Sequence, residues 1–452
     1  MKKHSATMLQ GPVLWGVITY TIPIILTGVL QLLFNAADLV IVGRFCGSIS
    51  VAAVGATGSI TNLIVNLFIG LSVGAGVTVA HALGSRENEA VHRAVHTALP
   101  VALVSGIILT GVGVIFSGSF LHMMGTPDTV LPLSKVYMQI YFGGITFNMV
   151  YNFCASILRA AGDTKSPLIY LTFAGVVNVV LNVFFVTVFH MNVAGVALAT
   201  TVSQGISAIL VVVALIRRTD ACKLYLRKMR FYRIEFTKMV RIGLPAGIQG
   251  SLFSISNVLI QSSINSFGDV FMSGNAAAGN IEGFVYVTMN AFHQTAVNFI
   301  GQNVGAQQFD RVKKTLGCCL GCVAVAGLAT GILGYTFGPQ LLSIYITDSA
   351  EAISHGMLRL GFVCLPYFLC GLMDVSTGAL RGMGASLEPM IISVLGICVL
   401  RIAWISTIFQ IPTFHTPQCL YLSYPISWVL TFTAQLIAFR RVYRRQREIF
   451  GK

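Results

Sequence analysis

The chain has 452 residues, of which 55% are hydrophobic and only 10% charged, and its mean hydropathy is +0.80. A water-soluble globular chain carries about a quarter charged residues and could not keep this much apolar surface away from water, so a soluble enzyme or soluble binding module is excluded. The net charge of +14 would suit a nucleic-acid partner, but the basic residues follow the alternation of membrane loops, so no nucleic acid is expected.

Crossing roughly 30 Å of hydrocarbon takes about 20 apolar residues. Twelve such runs are predicted, at 13–42, 49–81, 93–118, 134–158, 167–190, 193–217, 237–265, 273–303, 314–338, 355–380, 389–409 and 418–439. The start, Met1-Lys2-Lys3, looks like a secretory signal. However, the apolar run behind it is too long and lacks a small-residue cleavage site, so a retained first helix is expected.

An even number of crossings puts both termini on one side. If that side is cytoplasmic, all of the 29 Lys and Arg fall inside except Arg44, Lys135, Arg359 and Arg401. Asp163, Asp220 and Asp310 are then inside, and Asp128, Asp269 and Asp348 outside. The basic linker suits anionic lipid of the inner leaflet, so membrane lipids are the expected partners there.

On helix 1, Gln31, Asn35 and Asp38 are spaced i, i+4, i+7 and share one face. Counted from the outer ends at about 1.5 Å per residue, Asp38 lies roughly 9 Å deep, Asn182 of helix 5 about 12 Å and Thr200 of helix 6 about 10 Å. Asn178 is one turn further in, on the face of Asn182. A carboxylate at that depth without a basic neighbour either holds a proton or binds a cation, helped by amide and hydroxyl oxygens. The alternative is that Asn178, Asn182 and Thr200 only bridge helices by hydrogen bonds. Na⁺ is the one metal ion the Asp38 group could take; no metal cluster and no disulfide are expected from the ten cysteines, Cys318-Cys319-x-x-Cys322 included.

The chain repeats itself at a shift of 222 residues. Pro23 meets Pro245, Gly28 meets Gly250, Asn35 meets Asn257, and Leu158-Arg159-Ala160-Ala161-Gly162 meets Leu380-Arg381-Gly382-Met383-Gly384. A slip of one residue aligns Ala82-Leu83-Gly84 with Asn303-Val304-Gly305. Six helices per half make parallel repeats, so the expected domains are an N-lobe at 1–218, a cytoplasmic linker at 219–235 and a C-lobe at 236–452. Gly70-x-x-x-Gly74 and Gly327-x-x-x-Gly331 read as helix-packing contacts, and Pro23, Pro245 and Pro366 as kinks.

In the second half, Glu282 on helix 8 and Arg401 on helix 11 fall at roughly 14 and 12 Å, so they are expected to pair. Asp374 lies deeper, aligned with Asn152 across the repeat, and His293 is its expected neighbour.

In these features the sequence resembles the multidrug and toxic compound extrusion (MATE) family over essentially its whole length. The strings that carry the likeness are Asp38-Leu-Val-Ile-Val-Gly43, Ala52-Ala-Val-Gly55, Leu158-Arg159-Ala-Ala-Gly162-Asp163-Thr164-Lys-Ser-Pro167, Asn178-x-x-x-Asn182, Ala197-Leu-Ala-Thr200, Gly301-Gln302-Asn303-x-Gly305-Ala306 and Leu380-Arg381-Gly382-x-Gly384. The resemblance implies an all-α membrane protein, a V-shaped pair of six-helix lobes. It would export organic, often cationic, small molecules in exchange for H⁺ or Na⁺, as a monomer without a cofactor, from a bacterial cytoplasmic membrane.

In similar proteins the N-lobe cation site maps onto Asp38, Asn178, Asn182 and Thr200, with Asn182 standing where some relatives carry a second carboxylate. A rival is a lipid-linked oligosaccharide flippase of the same superclass, which would want a strongly cationic cavity. An integral-membrane enzyme would need a paired nucleophile and base, or metal ligands, at one depth. ATP-driven pumping would need a Gly-x-x-x-x-Gly-Lys-Ser/Thr loop, which is missing from the sequence.

Overall fold

The computed structural model describes residues 8–347 and 349–450. Lys2, Lys3, Asp348 and Lys452, which entered the assignment of sides, lie outside the described residues. The chain folds into helices α1 (Val13–Phe45), α2 (Ser48–Gly84) and α3 (Asn88–Met123), then α4, which breaks at Gly144 into Leu131–Gly143 and Ile145–Ala160. Helices α5 (Lys165–Thr187) and α6 (Asn192–Ile216) complete the first half. After the linker come α7 (Arg233–Asn265), α8 (Asp269–Gly305) and α9 (Phe309–Thr336).

Helix α10 runs Ala350–Arg359, continues as a π-helical turn over Leu360–Cys364, and resumes at Tyr367–Gly382 after Pro366. Its two parts bend by 41°. The missing proline N–H and the ring's clash with the preceding turn account for the bend. Helix α11 joins Leu387–Ser393 to Leu400–Ser406 through the π-helical Val394–Val399, and α12 spans Pro417–Ile449.

Each expected apolar run coincides with a helix, although the runs at 167–190, 193–217, 314–338 and 389–409 pass the ends of theirs at Thr187, Ile216, Thr336 and Ser406. Several helices extend past their run, because a helix continues through the headgroup layer where the apolar requirement ends. Eight of the helices are long and apolar enough to cross a bilayer, and the bent α10 makes a ninth. The broken α4 and the more polar α7 and α8 fall short of that test. Helix α8 carries Asn275, Glu282, His293, Asn298 and Gln302, all buried inside the protein rather than turned to lipid.

The repeat is written in the backbone. Gly162 and Gly384 both close a helix with positive φ, +88° and +82°. In both, the N–H five residues after the leucine turns back: Asp163 to the Leu158 carbonyl at 2.9 Å, Ala385 to that of Leu380 at 3.0 Å. Arg86 and Gln307, at φ 60° and 56°, likewise occupy equivalent turns after α2 and α8.

The described residues gather into two compact units, but these do not divide at the expected 219–235 linker. The first takes Leu26–Ser251; the second takes the described residues up to Ile25 together with Leu252 onward. Packing explains the first unit's claim on the start of α7. Gly70 and Gly74 of α2 face Gly243 and Gly247 of α7 so closely that a Cβ at Gly70 would strike the Gly247 backbone. Glu235 at the head of α7 is buried and accepts from Arg93 Nε of α3 at 2.8 Å.

In the second unit the start of α1 packs on α8. Thr21 and Thr295 share a hydroxyl bond at 2.7 Å, and the Tyr20 and Phe299 rings meet edge-on at 5.3 Å. Gly327 and Gly331 of α9 lie against the backbone of α10 at Phe368 and Cys364, the packing role expected of such a pair.

Candidate functional site

Asp38 sits on α1, in the first unit. Two local features bring α5 and α6 to it. Gly175, one turn before Asn178, carries no Cβ, and the Phe34 ring of α1 occupies the space a side chain would need. The α5–α6 connection is only Val188–Met191, and it turns tightly because His190 and Asn192 both adopt φ of 51°. Asn192 is further held by Ser50 Oγ, which donates to its Oδ1 at 2.8 Å. The tight turn sets Thr200 of α6 beside Asn178 of α5.

The four expected residues converge. Asn182 Nδ2 donates to Asp38 Oδ1 and also to Asn178 Oδ1 at 3.2 Å. Thr200 Oγ1 donates to Asp38 Oδ2 at 3.4 Å and accepts from Asn178 Nδ2 at 3.4 Å. Asn178 and Asn182 are buried, while Asp38 is partly exposed. Asn182 Oδ1 is left without a donor. The cluster therefore offers a carboxylate, two amide oxygens and a hydroxyl, all hard oxygen ligands, with no base in ion-pair distance of Asp38 among the described residues.

Gln31 and Asn35 share the helix face of Asp38 but not its network. Both are exposed, and neither side chain makes a hydrogen bond among the described residues. Two residues that the sequence reading missed stand nearby. Tyr137 of α4 lies within electrostatic reach of Asp38, and its ring stacks with Tyr141 at 6.3 Å. Tyr141 in turn bonds Gln204, one turn beyond Thr200 on α6. The i, i+4 pairings Tyr137–Tyr141 and Thr200–Gln204 were the available signal.

In the second unit the expected Glu282–Arg401 pair does not form. Glu282 is instead held bidentately by Arg359 of α10, Nε to Oε1 at 2.7 Å and Nη2 to Oε2 at 2.8 Å. Arg359 Nη1 also donates to Asn275 Oδ1 at 2.6 Å, which Tyr421 approaches from the other side with its hydroxyl at 2.9 Å. The error arose from the start of α10. The helix begins at Ala350, not 355, so Arg359 lies more than two turns inside it rather than at its rim.

Arg401 donates Nε to Ser427 Oγ at 2.9 Å and stacks over the Tyr424 ring at 4.1 Å. His293 does neighbour Asp374, but through the main chain: its Nδ1 meets the Asp374 carbonyl at 2.7 Å, which leaves Nε2 to accept from Arg381 Nη1 at 3.4 Å. The Asp374 carboxylate has Arg381 as its electrostatic neighbour.

An open apolar groove of about 650 Å³ runs along the surface between α1 and α5, lined by Leu26, Val29, Leu30, Leu168, Phe173 and Val176 among others, with Leu26, Phe173 and Val176 exposed. It lies on the two helices that carry Asp38 and Asn182.

Comparison with known proteins agrees with this architecture. A family model described as MatE matches residues 23–184 and 245–405, one match in each half. The probable multidrug resistance protein YpnP of Bacillus subtilis is 28% identical over 405 residues, covering 89% of both chains. The probable multidrug resistance protein YoeA of the same bacterium is 27% identical over 386 residues, covering 84% of this chain and 83% of its own. A solved structure of a multidrug resistance MATE family transporter in an outward-facing conformation superposes with a TM-score of 0.90 over 99% of both chains, at 19% identity.

Proposed function

The chain belongs to the MatE family of multi-pass membrane transporters, and from that premise we propose that it exports organic, drug-like compounds, cations among them, by antiport against H⁺ or Na⁺. The observation that carries the reading is the oxygen cluster of Asp38, Asn178, Asn182 and Thr200, where among the described residues the carboxylate has no basic partner and Asn182 Oδ1 no donor. A buried acceptor without a donor and a carboxylate without a counter-ion both favour an incoming cation.

A proton bound to Asp38, or Na⁺ held by the same oxygens, would neutralise the carboxylate. Coupling then requires that the ion favour one conformation of the N-lobe over another, because a ligand shifts an equilibrium only by its differential affinity. The open apolar groove between α1 and α5 supplies a surface on which drug-like molecules could rest. Export across a bacterial cytoplasmic membrane, with both termini cytoplasmic and the protein acting as a monomer, completes the proposal. The flippase alternative wants a cationic cavity, and the strong Arg359–Glu282 pair removes one of the charges it would use.

Efflux of a fluorescent organic cation from vesicles, driven separately by pH and Na⁺ gradients, tests the reading. Asp38→Asn keeps the volume and much of the hydrogen bonding, so it should give a folded protein whose efflux no longer responds to either gradient. Undiminished gradient-driven efflux by the variant would remove Asp38 from the mechanism.

A further inference from the structure

The interior of the second unit has more buried cations than anions. Its guanidinium groups are Arg359, with 12% of its side chain exposed, Arg381 at 7% and Arg401 at 4%. Two carboxylates share that interior. Glu282 is taken bidentately by Arg359, and Asp374 has Arg381 as its electrostatic neighbour. Arg401 is the remaining cation. The side chains that face it electrostatically are Tyr367, Cys370, Cys398 and Tyr424, none of them a carboxylate. Its Nε reaches Ser427, but its Nη2 finds no acceptor.

A guanidinium buried at membrane depth without a counter-ion is costly, and stacking on Tyr424 at 4.1 Å and near Trp428 at 5.7 Å offsets only part of that cost. Two further buried hydroxyls lie along the π-helical turn Val394–Val399. Ser256 of α7 is 2% exposed, and its hydroxyl has only the Cys398 thiol beside it. Thr431 of α12, one turn beyond Ser427, is 1% exposed with its hydroxyl unpartnered, against the turn at Gly396. Among the described residues Arg401 Nη2 and the Thr431 hydroxyl are thus left without acceptors and the Ser256 hydroxyl has only a thiol, all along α11, and π turns commonly mark binding positions.

We propose that this position is an anion-binding site, in which Arg401 receives a carboxylate or another small anion and the Ser256 and Thr431 hydroxyls assist. Guanidinium Nη2 is the complement of an oxyanion oxygen, and a charge-assisted bond to it would satisfy that donor and supply the counter-ion the guanidinium lacks. The anion is either part of a transported organic molecule or a free inorganic ion; the chemistry at Arg401 is the same. The site is independent of the export reading, because it is measured at equilibrium without an ion gradient.

Trp428 reports on the site directly. In purified protein carrying Trp15→Phe and Trp404→Phe, Trp428 is the sole indole of the three in the chain. Its fluorescence is titrated separately with benzoate, inorganic phosphate and chloride at constant ionic strength. At least one of the three should give a saturable change, and Arg401→Gln should weaken it at least tenfold. Benzoate alone would indicate an organic carboxylate, phosphate or chloride an inorganic ion. Arg401→Gln should also raise the melting temperature of the anion-free protein, whereas a purely structural arginine predicts a fall. If Arg401→Gln does not fold, Ser256→Ala and Thr431→Val keep the guanidinium and should each weaken the titration several-fold. Identical titrations in wild type and variants, or no response to any of the three anions, would overturn the proposal.

Discussion

Removing the arginine of the Glu282–Arg359 pair tests the part of the structure that departs most from expectation. Glu282 is 6% exposed and takes two charge-assisted bonds from Arg359, at 2.7 and 2.8 Å. Arg359→Met leaves that carboxylate buried and unpaired, at a cost of about 3–5 kcal/mol. Asn275 loses one donor but keeps Tyr421 at 2.9 Å, so it adds little. Glu282→Gln with Arg359→Met removes both charges, and the loss should then fall to about 1–2 kcal/mol, the packing and neutral hydrogen bonds that remain. Adding Glu282→Gln to Arg359→Met should therefore recover about 2–3 kcal/mol, about a factor of 30 to 150 in the folding equilibrium, and the coupling energy, which also counts the cost of Glu282→Gln alone, should be at least that large. Reversible unfolding in mixed micelles with increasing dodecyl sulfate measures all four species. Glu282→Gln with Arg401→Gln serves as the control and should be additive. Additivity within about 0.5 kcal/mol for the Arg359 cycle would refute the pairing.

The remaining predictions address the first unit and the orientation. Gly175→Val should push Phe34 and α1 away from α5, separate Asp38 from Asn182, and abolish ion-coupled efflux while the protein still inserts; adding Phe34→Ala should restore part of it, as vesicle efflux would show. Asn178→Ala and Thr200→Ala remove neutral ligands only, so each should weaken ion-driven efflux less than Asp38→Asn does. Cysteines placed at Asp163, Asp220 and Asp310 should react with an impermeant maleimide only after the cell is opened, and those at Asp128 and Asp269 in intact cells; labelling of Asp220→Cys from outside would invert the topology.

The sequence made the helices legible because the bilayer imposes length and apolarity, and both can be read directly from the chain. It made the Asp38 cluster legible for a related reason. Depth counts at 1.5 Å per residue, and i, i+4 spacing fixes which residues of one helix share a face. Depth does not fix rotation. Gln31 and Asn35 share the face of Asp38, yet that face reaches α5 and α6 only at its end. Depth matched Glu282 with Arg401, whereas helix rotation and the true start of α10 give it to Arg359. The two π turns, Leu360–Cys364 and Val394–Val399, shift the faces of α10 and α11, and nothing in residue spacing announces such a turn. The unit boundaries escaped for another reason: the linker is the longest polar stretch, but packing of small residues in α2 against α7 outweighs chain connectivity.

The repeat shows what the two halves share and what they do not. Helix-closing turns persist, with Gly162 and Gly384 in the same left-handed conformation. The oxygen ligands do not. At the 222-residue shift, the counterparts of Asp38, Asn178, Asn182 and Thr200 are Ile260, Leu400, Trp404 and Leu422, so no member of the cluster has an equivalent with a side-chain oxygen. Conversely, Glu282 and Arg401 face Ile60 and Val179 in the first half, and Arg359 faces Tyr137, the ring beside Asp38. A carboxylate in the first half met by amides and a hydroxyl remains open to a cation. The carboxylates of the second half are met by guanidinium groups, which leave one positive charge over at Arg401. One backbone plan thus carries two interiors of opposite electrostatic demand, the first asking for a cation and the second for an anion. That division predicts that Asp38→Asn should leave the anion titration of Trp428 unchanged, and that Arg401→Gln should leave the pH and Na⁺ dependence of efflux intact.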